Sequence, residues 1–320
     1  MKAIEVVEGK AVLNEAEKPS VGLNEILIKI KSTAVNRADL MQKKGLYPPP
    51  PGASEILGLE CSGIVYEIGK NVTSRKVGEE VCALLAGGGY AEYVACPEFQ
   101  AVPKPANLNW AEASSIPEVY ATCWLNLFIE GNLTNNNKVL FHAGASGIGT
   151  AGIQLCRVFN AESFITAGSE EKVKFCKDLG ASAGAVRGDG MFDEVKSWAF
   201  NGFDLILDPV GANYLENNLK VLGLEGKLII IGLMGGTESN INLAHLMMKR
   251  QKVIGSTIRA RSEELKKIVM QDLCKKVWPF FESGAIKPII HKIMGIEDTE
   301  KAHQIMEENK NIGKLVLTLD

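Results

Sequence analysis

The first hundred residues alternate apolar and polar positions over short runs that are separated by turn residues. The clearest runs cover residues 25–31, 63–69, 80–85 and 90–95. Alternation with a period of two is typical of strands with one buried face, and many short strands close together favour a barrel or a sandwich. We therefore predict an all-β, barrel-like unit at the start of the chain.

From about residue 110 the pattern changes to compact apolar runs separated by stretches of helical periodicity. Four such runs, at residues 139–142, 163–167, 205–207 and 227–231, predict buried strands. Strands that alternate with helices form parallel sheets with right-handed crossovers. This part of the chain is therefore predicted to be a doubly wound domain of the Rossmann type.

The tail of the chain predicts two helices and two strands. In order, they cover residues 263–281, 288–292, 298–308 and 313–319, and the second and fourth of these are the strands. Two strands are too few to form a stable unit alone, so we expect them to return to the first unit. The predicted domains are a catalytic β domain at 1–115, a cofactor-binding domain at 116–259 and a return segment at 260–320.

A glycine-rich turn after the first predicted Rossmann strand is the strongest functional signal. The apolar run at 139–142 leads into Gly144, Gly147 and Gly149, and a helical pattern follows. Glycines allow the backbone to approach a pyrophosphate, while the helix N-terminus offers N–H donors and a positive dipole end. The spacing is G-x-x-G-x-G rather than the commoner G-x-G-x-x-G. The strand–turn–helix context nevertheless favours a dinucleotide site over a purely structural turn.

The end of the next predicted strand bears on the choice between NADP and NAD. NAD sites usually carry an acidic residue there, but this strand ends Ala167-Gly168-Ser169. Small residues leave room for a 2′-phosphate, to which Ser169 would donate and which Lys172 and Arg187 would neutralise. Glu170 and Glu171 oppose this interpretation, and a lone Lys or Arg is commonly a solvated surface charge. We expect NADP(H), with NAD as the alternative.

Composition excludes several classes of function. The net charge is −3 and no basic stretch occurs, so nucleic-acid binding driven by charge is not expected. No apolar run approaches the roughly 20 residues of a membrane span, and the first residues lack the apolar core of a signal peptide. The seven cysteines form no C-x-x-C pair and are interpreted as reduced. We expect a cytoplasmic protein without membrane attachment.

The domain order resembles that of the medium-chain dehydrogenase/reductase superfamily, and this resemblance covers nearly the whole chain. Its zinc-free quinone oxidoreductases, in particular their p53-inducible branch, are similar to this chain in residues 35–42, 45–60, 142–150, 231–236 and 308–317. The resemblance implies an α/β protein with a GroES-like N-terminal β-barrel as the catalytic domain, followed by a Rossmann domain.

The positions that would bind zinc in this superfamily carry other residues here. Zinc alcohol dehydrogenases have a ligand Cys in a segment like G-I-C-x-T-D and a ligand His in G-H-E, whereas this chain has Asn36 and Leu59 at those places. A zinc site needs at least three suitable protein ligands, so we expect no metal. Without a Lewis acid, quinones and conjugated enones are the favoured hydride acceptors, because their π systems delocalise the charge.

The resemblance also implies roles for individual residues. Tyr47 would donate a hydrogen bond or a proton to the acceptor oxygen, and Asn36 and Asp39 would line the cleft near the nicotinamide. The implied cofactor-binding residues are Thr122, Gly144, Ala145, Ser146, Gly147, Ile148, Gly149, Ser169, Lys172, Arg187, Gly232, Leu233, Met234, Asn309 and Asn311. As alternatives, Tyr47 packs within its proline-rich loop, Asn36 and Asp39 cap a helix, and Met234 belongs to the core.

The function favoured by this sequence is NADPH-dependent reduction of a small-molecule quinone. Two alternatives stay open, namely a 2-alkenal or enone reductase and a non-catalytic NADPH-binding protein like the lens crystallins recruited from this group. An apolar segment at 253–258 is predicted to be the exposed edge strand of the Rossmann sheet. Because unprotected edges pair readily and two-fold pairing closes the assembly, we predict a homodimer.

Overall fold

A computed structural model describes residues 1–319, which form two structural units. The first unit comprises Met1–Ala121 and the chain from Ile258 onward, and the second is Thr122–Thr257. Residues 116–121 and 258–259 thus lie in the first unit rather than in the predicted cofactor-binding domain. The reason is packing, because the Tyr120 ring meets the Phe281 ring edge-on with centroids 5.0 Å apart.

Along the chain, the helices and strands of the first unit come first, those of the second unit follow, and the tail belongs to the first unit again. The strands are β1 (Lys2–Val7), β2 (Lys10–Glu15), β3 (Glu25–Ala34), β4 (Glu60–Ile68), β5 (Glu80–Leu84), β6 (Tyr93–Pro97), β7 (Ala101–Pro103), β8 (Lys138–Phe141), β9 (Glu162–Ala167), β10 (Ala183–Val186), β11 (Phe203–Asp208), β12 (Leu222–Ile230), β13 (Lys252–Gly255), β14 (Ile290–Gly295) and β15 (Lys314–Thr318). The helices are α1 (Arg37–Lys43), α2 (Trp110–Ser114), α3 (Pro117–Cys123), α4 (Gly147–Val158), α5 (Glu170–Leu179), α6 (Met191–Trp198), α7 (Ala212–Val221), α8 (Leu243–Lys249), α9 (Glu263–Lys276), α10 (Trp278–Glu282) and α11 (Thr299–Glu307).

The first unit is built around a mixed sheet with the strand order β14-β15-β3-β4-β5-β7, and β6 also pairs with β3. The chain's last strand, β15, runs antiparallel to β3 and places Leu317 opposite Thr33. Apolar residues of β3, β4, β5 and β15 form one buried core with residues of α11. The tail is therefore an integral part of this unit.

The second unit is a six-stranded parallel sheet with the order β10-β9-β8-β11-β12-β13. The chain moves outward from β8 through β9 to β10 and then returns to the other side of β8 with β11. This is the doubly wound order of a Rossmann domain, as predicted. Ligands of such sheets bind beyond the carboxyl ends of the strands at the reversal point, which here lies between β8 and β11.

One of the predicted helices is divided in the structure. The helix expected at 263–281 is two helices, because α9 ends at Lys276 and α10 begins at Trp278. Pro279 accounts for the break, since it lacks an N–H and its ring would clash with a carbonyl one turn earlier. Across residues 1–319, no helix is both long and apolar enough to cross a membrane.

Candidate functional site

The glycine-rich turn of the second unit is too tight to accept side chains at two of its glycines. A Cβ on Gly149 would lie 2.3 Å from the carbonyl oxygen of Gly144, and a Cβ on Gly144 would lie 2.5 Å from Ile165. Ser146 caps α4, because its Oγ accepts a hydrogen bond from the Gly149 N–H at 3.1 Å. The first N–H groups of a helix have no partner within it. The predicted pyrophosphate residues, from Gly144 to Gly149, thus surround a helix N-terminus at the sheet's reversal point, an arrangement that fits a dinucleotide.

The predicted 2′-phosphate residues lie together at the end of β9. Ser169 caps α5 and accepts a hydrogen bond from the Lys172 backbone N–H at 3.4 Å. The guanidinium of Arg187 lies 3.8 Å from the position that a Cβ on Gly168 would take. Burial lowers the pKa of the Lys172 ammonium, Glu171 opposes this effect, and the charge of Arg187 lowers the pKa further. Two cations therefore adjoin a strand end that carries no acid.

The segment after β12 returns toward the end of β11. A Cβ on Gly232 would lie 2.8 Å from the carbonyl oxygen of Pro209, so this close approach requires glycine. Leu233 and Met234 are 54% and 49% exposed, which rules out the alternative that Met234 is a core residue. Thr122, in contrast, is buried, and its carbonyl oxygen accepts a hydrogen bond from the Asn126 amide at 2.8 Å.

A buried polar network that the sequence analysis missed connects β8, β9 and α7 to the loop after β11. The His142 ring nitrogens contact Thr166 Oγ1 at 2.9 Å and Asn218 Oδ1 at 2.7 Å. Asn218 Nδ2 donates to Asp208 Oδ2 at 3.0 Å, and the two Asp208 oxygens accept the N–H groups of Val210 and Gly211. Because the Asn218 oxygen can only accept, His142 carries its proton on Nε2.

The electrostatics of this network follow from burial. Burial lowers the pKa of His142 to about 4, against a smaller effect of Asn218, so the ring is neutral at pH 7. Burial also raises the pKa of Asp208 to about 6, although its three hydrogen bonds oppose the shift. The neutral His142 ring thus binds the Asn218 amide, which in turn donates to Asp208, and Asp208 accepts the N–H groups of the loop after β11.

In the first unit, Asn36, at the position matched to the zinc-ligand cysteine, is hydrogen-bonded to both members of a buried ion pair. The Lys314 ammonium lies 2.7 Å from Glu60 Oε1 and donates to Asn36 Oδ1 at 2.7 Å and to the Val35 carbonyl at 2.9 Å. Asn36 Nδ2 donates to the same Glu60 oxygen at 2.9 Å. Three oxygen acceptors therefore surround the ammonium. Sequence reasoning missed this pair, although a lysine within the apolar run 313–319 was a usable signal.

Asp39 is fully buried, and its carboxylate is engaged by the protein itself. Asp39 Oδ2 accepts from the Asn36 N–H at 2.7 Å and from the Tyr90 hydroxyl at 2.9 Å, and Oδ1 accepts from the Gly58 N–H at 3.1 Å. Burial raises the pKa of this carboxyl to about 6, against these donors and the charge of Lys314. Direct contact of Asp39 with a substrate is inconsistent with such burial. Its hydrogen bond to Asn36 fits the helix-capping alternative, because α1 begins at Arg37.

Tyr47 lies half-buried at the start of the proline-rich loop, beside the buried Arg259. The guanidinium carbon is 5.3 Å from the centre of the Tyr47 ring. Burial raises the pKa of the phenol, the charge of Arg259 lowers it, and Glu118 raises it. The phenol ring thus has a cation for a neighbour, and the sequence analysis gave no role to Arg259.

The two predicted asparagines near the C-terminus have local structural contacts. Asn309 adopts a left-handed backbone conformation (φ 54°) after α11, and its Oδ1 accepts from Arg37 at 2.8 Å. Asn311 Nδ2 donates to the Gly313 carbonyl at 2.7 Å. These contacts order the chain before β15, and the cofactor role of both residues stays a prediction.

Within residues 1–319, no group of three or more His, Cys, Asp and Glu side chains is arranged to hold a metal ion. The cysteines in this range are all free thiols, and only Cys274 is not fully buried. Burial raises the pKa of several of these thiols, for example that of Cys96 to about 12. The six buried cysteines are thus core residues, and a raised pKa keeps a thiol such as that of Cys96 neutral at pH 7.

Comparison with known proteins agrees with this architecture. Residues 147–274 match the zinc-binding dehydrogenase family, and residues 22–106 match the alcohol dehydrogenase GroES-like domain. The zebrafish (Danio rerio) synaptic vesicle membrane protein VAT-1 homolog is 29% identical over 95% of this chain, which spans 66% of that protein. The rat (Rattus norvegicus) quinone oxidoreductase is 28% identical, with 100% of this chain and 98% of that protein covered.

Solved structures give the same result for the fold. A crystal structure of an NAD-dependent alcohol dehydrogenase superposes with a TM-score of 0.86 at 28% identity and covers 100% of both chains. The GroES-like unit, the parallel Rossmann sheet and the returning tail all have counterparts in this type of protein. The chain therefore has the fold of the medium-chain dehydrogenase/reductase superfamily, which implies a nicotinamide cofactor, and its similarity to a quinone oxidoreductase and an alcohol dehydrogenase favours an oxidoreductase.

Proposed function

We propose that this chain is an NADPH-dependent oxidoreductase that transfers hydride to a quinone or a related conjugated carbonyl without zinc. The observation that carries this proposal is the Lys314 ammonium, which is paired with Glu60 and bonded to Asn36 where the superfamily's zinc enzymes have a metal ligand. A buried ammonium and a zinc ion would repel each other strongly there. The similarity to rat quinone oxidoreductase supports the same acceptor class, and membership of the p53-inducible branch stays part of the proposal.

The choice of NADPH rests on the cations at the end of β9. Lys172 and Arg187 would neutralise a 2′-phosphate that Ser169 receives with its hydroxyl, and the strand end has no carboxylate to bind a free ribose. The pyrophosphate would be held by the N–H groups at the start of α4, next to the Ser146 cap. Every residue in this assignment lies in the second unit, around the carboxyl ends of β8 and β9.

The chemistry requires one hydride and one proton. Bound NADPH supplies the hydride, with its two electrons, from the nicotinamide C4. In our proposal the Tyr47 hydroxyl donates its hydrogen bond to the acceptor oxygen, where negative charge develops as the hydride arrives. Proton transfer to that oxygen completes the hydroquinone, and water returns the proton to Tyr47. Quinones suit such a site because they need only a hydrogen-bond donor and no Lewis acid.

Steady-state kinetics of the full chain test this proposal. With 9,10-phenanthrenequinone as acceptor, we expect NADPH to be oxidised and kcat/KM for NADPH to exceed that for NADH. Faster turnover of 2-alkenals or enones than of any quinone would make the chain an enone reductase. Tight binding of NADPH without oxidation by either acceptor class would contradict catalysis and support the binding-protein alternative.

Independence from zinc needs its own measurement. We expect dialysis against EDTA or 1,10-phenanthroline to leave the quinone reductase rate and the melting temperature unchanged, because the Lys314 ammonium already neutralises Glu60. Elemental analysis should find well below one zinc per chain. Stoichiometric zinc together with loss of activity on chelation would overturn this part of the proposal.

A further inference from the structure

Arg259 is a buried cation without a carboxylate partner. The residue is 4% exposed, and within residues 1–319 no carboxylate oxygen lies within ion-pair distance of its guanidinium. Burial lowers the pKa of the guanidinium, although Tyr47, Asp39 and Glu55 oppose the shift. Burying an unpaired charge is costly, so the fold has to stabilise this residue in other ways.

The guanidinium instead joins three separate segments of the first unit by hydrogen bonds to neutral oxygens. Nη2 donates to Gln42 Oε1 on α1 at 2.8 Å, Nη1 donates to the Tyr47 carbonyl at 3.3 Å, and Nε donates to the Ala86 carbonyl after β5 at 2.7 Å. Gln42 in turn donates to the Glu55 carbonyl at 2.9 Å. The proline-rich loop is thus fastened at its start by Arg259 and near its end by Gln42.

The same guanidinium acts on the aromatic ring that it holds. Its carbon lies 5.3 Å from the centre of the Tyr47 ring, within the range of a cation–π contact. A fixed positive charge beside a phenol stabilises the phenolate and so strengthens the hydroxyl as a hydrogen-bond donor. Among the described residues, Glu118 opposes Arg259, because its charge raises the pKa of the Tyr47 phenol. Around Arg259 itself, the charged neighbours are Asp39, Glu55 and Lys266.

We propose that Arg259 is the positioning residue for Tyr47: it fixes the loop that carries the phenol, and its charge strengthens the phenol as a hydrogen-bond donor to the substrate oxygen. This inference rests on the proposed function for the role of Tyr47 in turnover. The coupling between the two side chains is independent of that function and can be measured without cofactor or substrate.

The first measurement is a titration of Tyr47 by ¹⁹F NMR in the full chain labelled with 3-fluorotyrosine. The chain has six tyrosines, and the signal lost in Tyr47→Phe identifies the one of interest. We expect Arg259→Met to raise the pKa of Tyr47 and Arg259→Lys to keep it closer to that of the wild type. Should Arg259→Met fail to fold, Arg259→Gln removes the charge while retaining two N–H donors.

Arg75→Met is the matched control for loss of a structural arginine. Arg75 also donates to a backbone carbonyl, that of Ala101 at 3.0 Å, and it pairs with Glu79 in the same unit. We expect this variant to lower the melting temperature without moving the pKa of Tyr47. An unchanged pKa of Tyr47 in the charge-removing Arg259 variants, or an equal shift in Arg75→Met, would overturn the proposal.

The second measurement is a double-mutant cycle on turnover with an enone, which depends strongly on the hydrogen-bond donor. Arg259→Met should lower kcat on the order of tenfold, less than the loss of a direct oxyanion donor, with little change in KM for NADPH. In a Tyr47→Phe background the same change should have no further effect, because Arg259 acts through Tyr47. Additive effects would contradict the proposal. Absence of wild-type turnover with quinones as well as with enones would instead contradict the proposed function and leave the NMR result valid.

Discussion

At the scale of single residues, the predicted catalytic residues differ in whether their polar groups are already hydrogen-bonded within the protein. Tyr47 is half-buried and its hydroxyl donates to no acceptor within residues 1–319, whereas the side-chain oxygens of Asp39 and Asn36 are all bonded inside the first unit. Such engagement favours a structural role for Asn36 and Asp39, and a catalytic role of either residue stays a prediction. Tyr47 is therefore the side chain on which a test of chemistry should begin.

Tyr47→Phe should keep the fold and the NADPH affinity but lower kcat. The lost hydrogen bond strengthens only as the acceptor oxygen gains charge in the transition state, so its removal affects the rate more than binding. For an ortho-quinone we expect about a tenfold drop, which corresponds to about 1.4 kcal/mol, and a larger drop for enones. Equal rates of wild type and variant with both acceptors would assign Tyr47 to packing.

Lys172→Ala should raise KM for NADPH while leaving KM for NADH nearly unchanged. A charge-assisted contact to the 2′-phosphate contributes about 1.5–3 kcal/mol, or about a tenfold to hundredfold change in affinity. Lys174→Ala is the matched control, because Lys174 lies on the same helix and pairs with Asp178 in solvent. A parallel rise in KM for both cofactors in Lys172→Ala would mean that this lysine does not distinguish them.

At the scale of elements, the His142 network ties strands and helix of the second unit to the loop after β11. Each member is buried, and each bond links a different element: β9 through Thr166, α7 through Asn218 and the end of β11 through Asp208. Since His142 is neutral in the folded state, acid should weaken this arrangement.

We expect the unfolding free energy to contain a contribution from His142 that is complete above pH 6.5 and lost as the pH falls toward 4. The sign follows because the pKa of His142 is about 4 in the folded state and near 6.5 when unfolded, so the unfolded chain binds the proton first. Between pH 7.5 and 5 the wild type should lose about 2 kcal/mol more than His142→Gln. Urea unfolding at both pH values measures this difference.

His291→Gln provides the control for that experiment, because His291 is exposed at the start of β14. This variant should retain the pH dependence of the wild type. If His142→Gln shows the full acid sensitivity of the wild type, the buried neutral histidine is not its source. The contributions of other titrating groups, such as Asp208 and Asp39, to the pH dependence cancel where they are equal in the wild type and His142→Gln.

At the scale of the whole molecule, β13 forms one edge of the parallel sheet. It pairs with β12 on one side only within this chain, and it spans Lys252–Gly255, shorter than the predicted 253–258. Val253 on this edge is 40% exposed, and Met247 and Met248 on α8 are each 72% exposed. Natural proteins usually pair or protect an exposed strand edge of this kind, which here has apolar side chains nearby.

We therefore predict a homodimer formed through β13. Light scattering at micromolar concentration should give twice the mass of one chain, and Val253→Asp should give the mass of a single chain. Val6→Asp is the control, because Val6 is an equally exposed strand valine (41%) in the first unit. A wild type of single-chain mass, or dissociation caused equally by both substitutions, would contradict this interface.

The sequence alone determined those features that depend on local periodicity and on neighbours along the chain. Alternation identified β3, β4, β5 and β6 of the first unit but missed β1, β2 and β7. A compact apolar run followed by glycines identified the Rossmann turn. Both signals come from residues a few positions apart. The candidate phosphate-binding residues could also be proposed from the sequence, since Ser169 and Lys172 follow one strand and Arg187 follows the next. A parallel sheet brings such strand ends to the same edge.

Only the tertiary structure decided which polar groups are hydrogen-bonded or ion-paired inside the protein. Lys314 meets Glu60 across more than 250 positions of sequence, and Arg259 meets Tyr47 across 212. Nothing in the local pattern distinguishes either cation from a solvated one, because burial and the direction of a side chain depend on how distant strands pair. The same reason explains why Asp39, which the motif placed near the chemistry, is a buried acceptor of three hydrogen bonds.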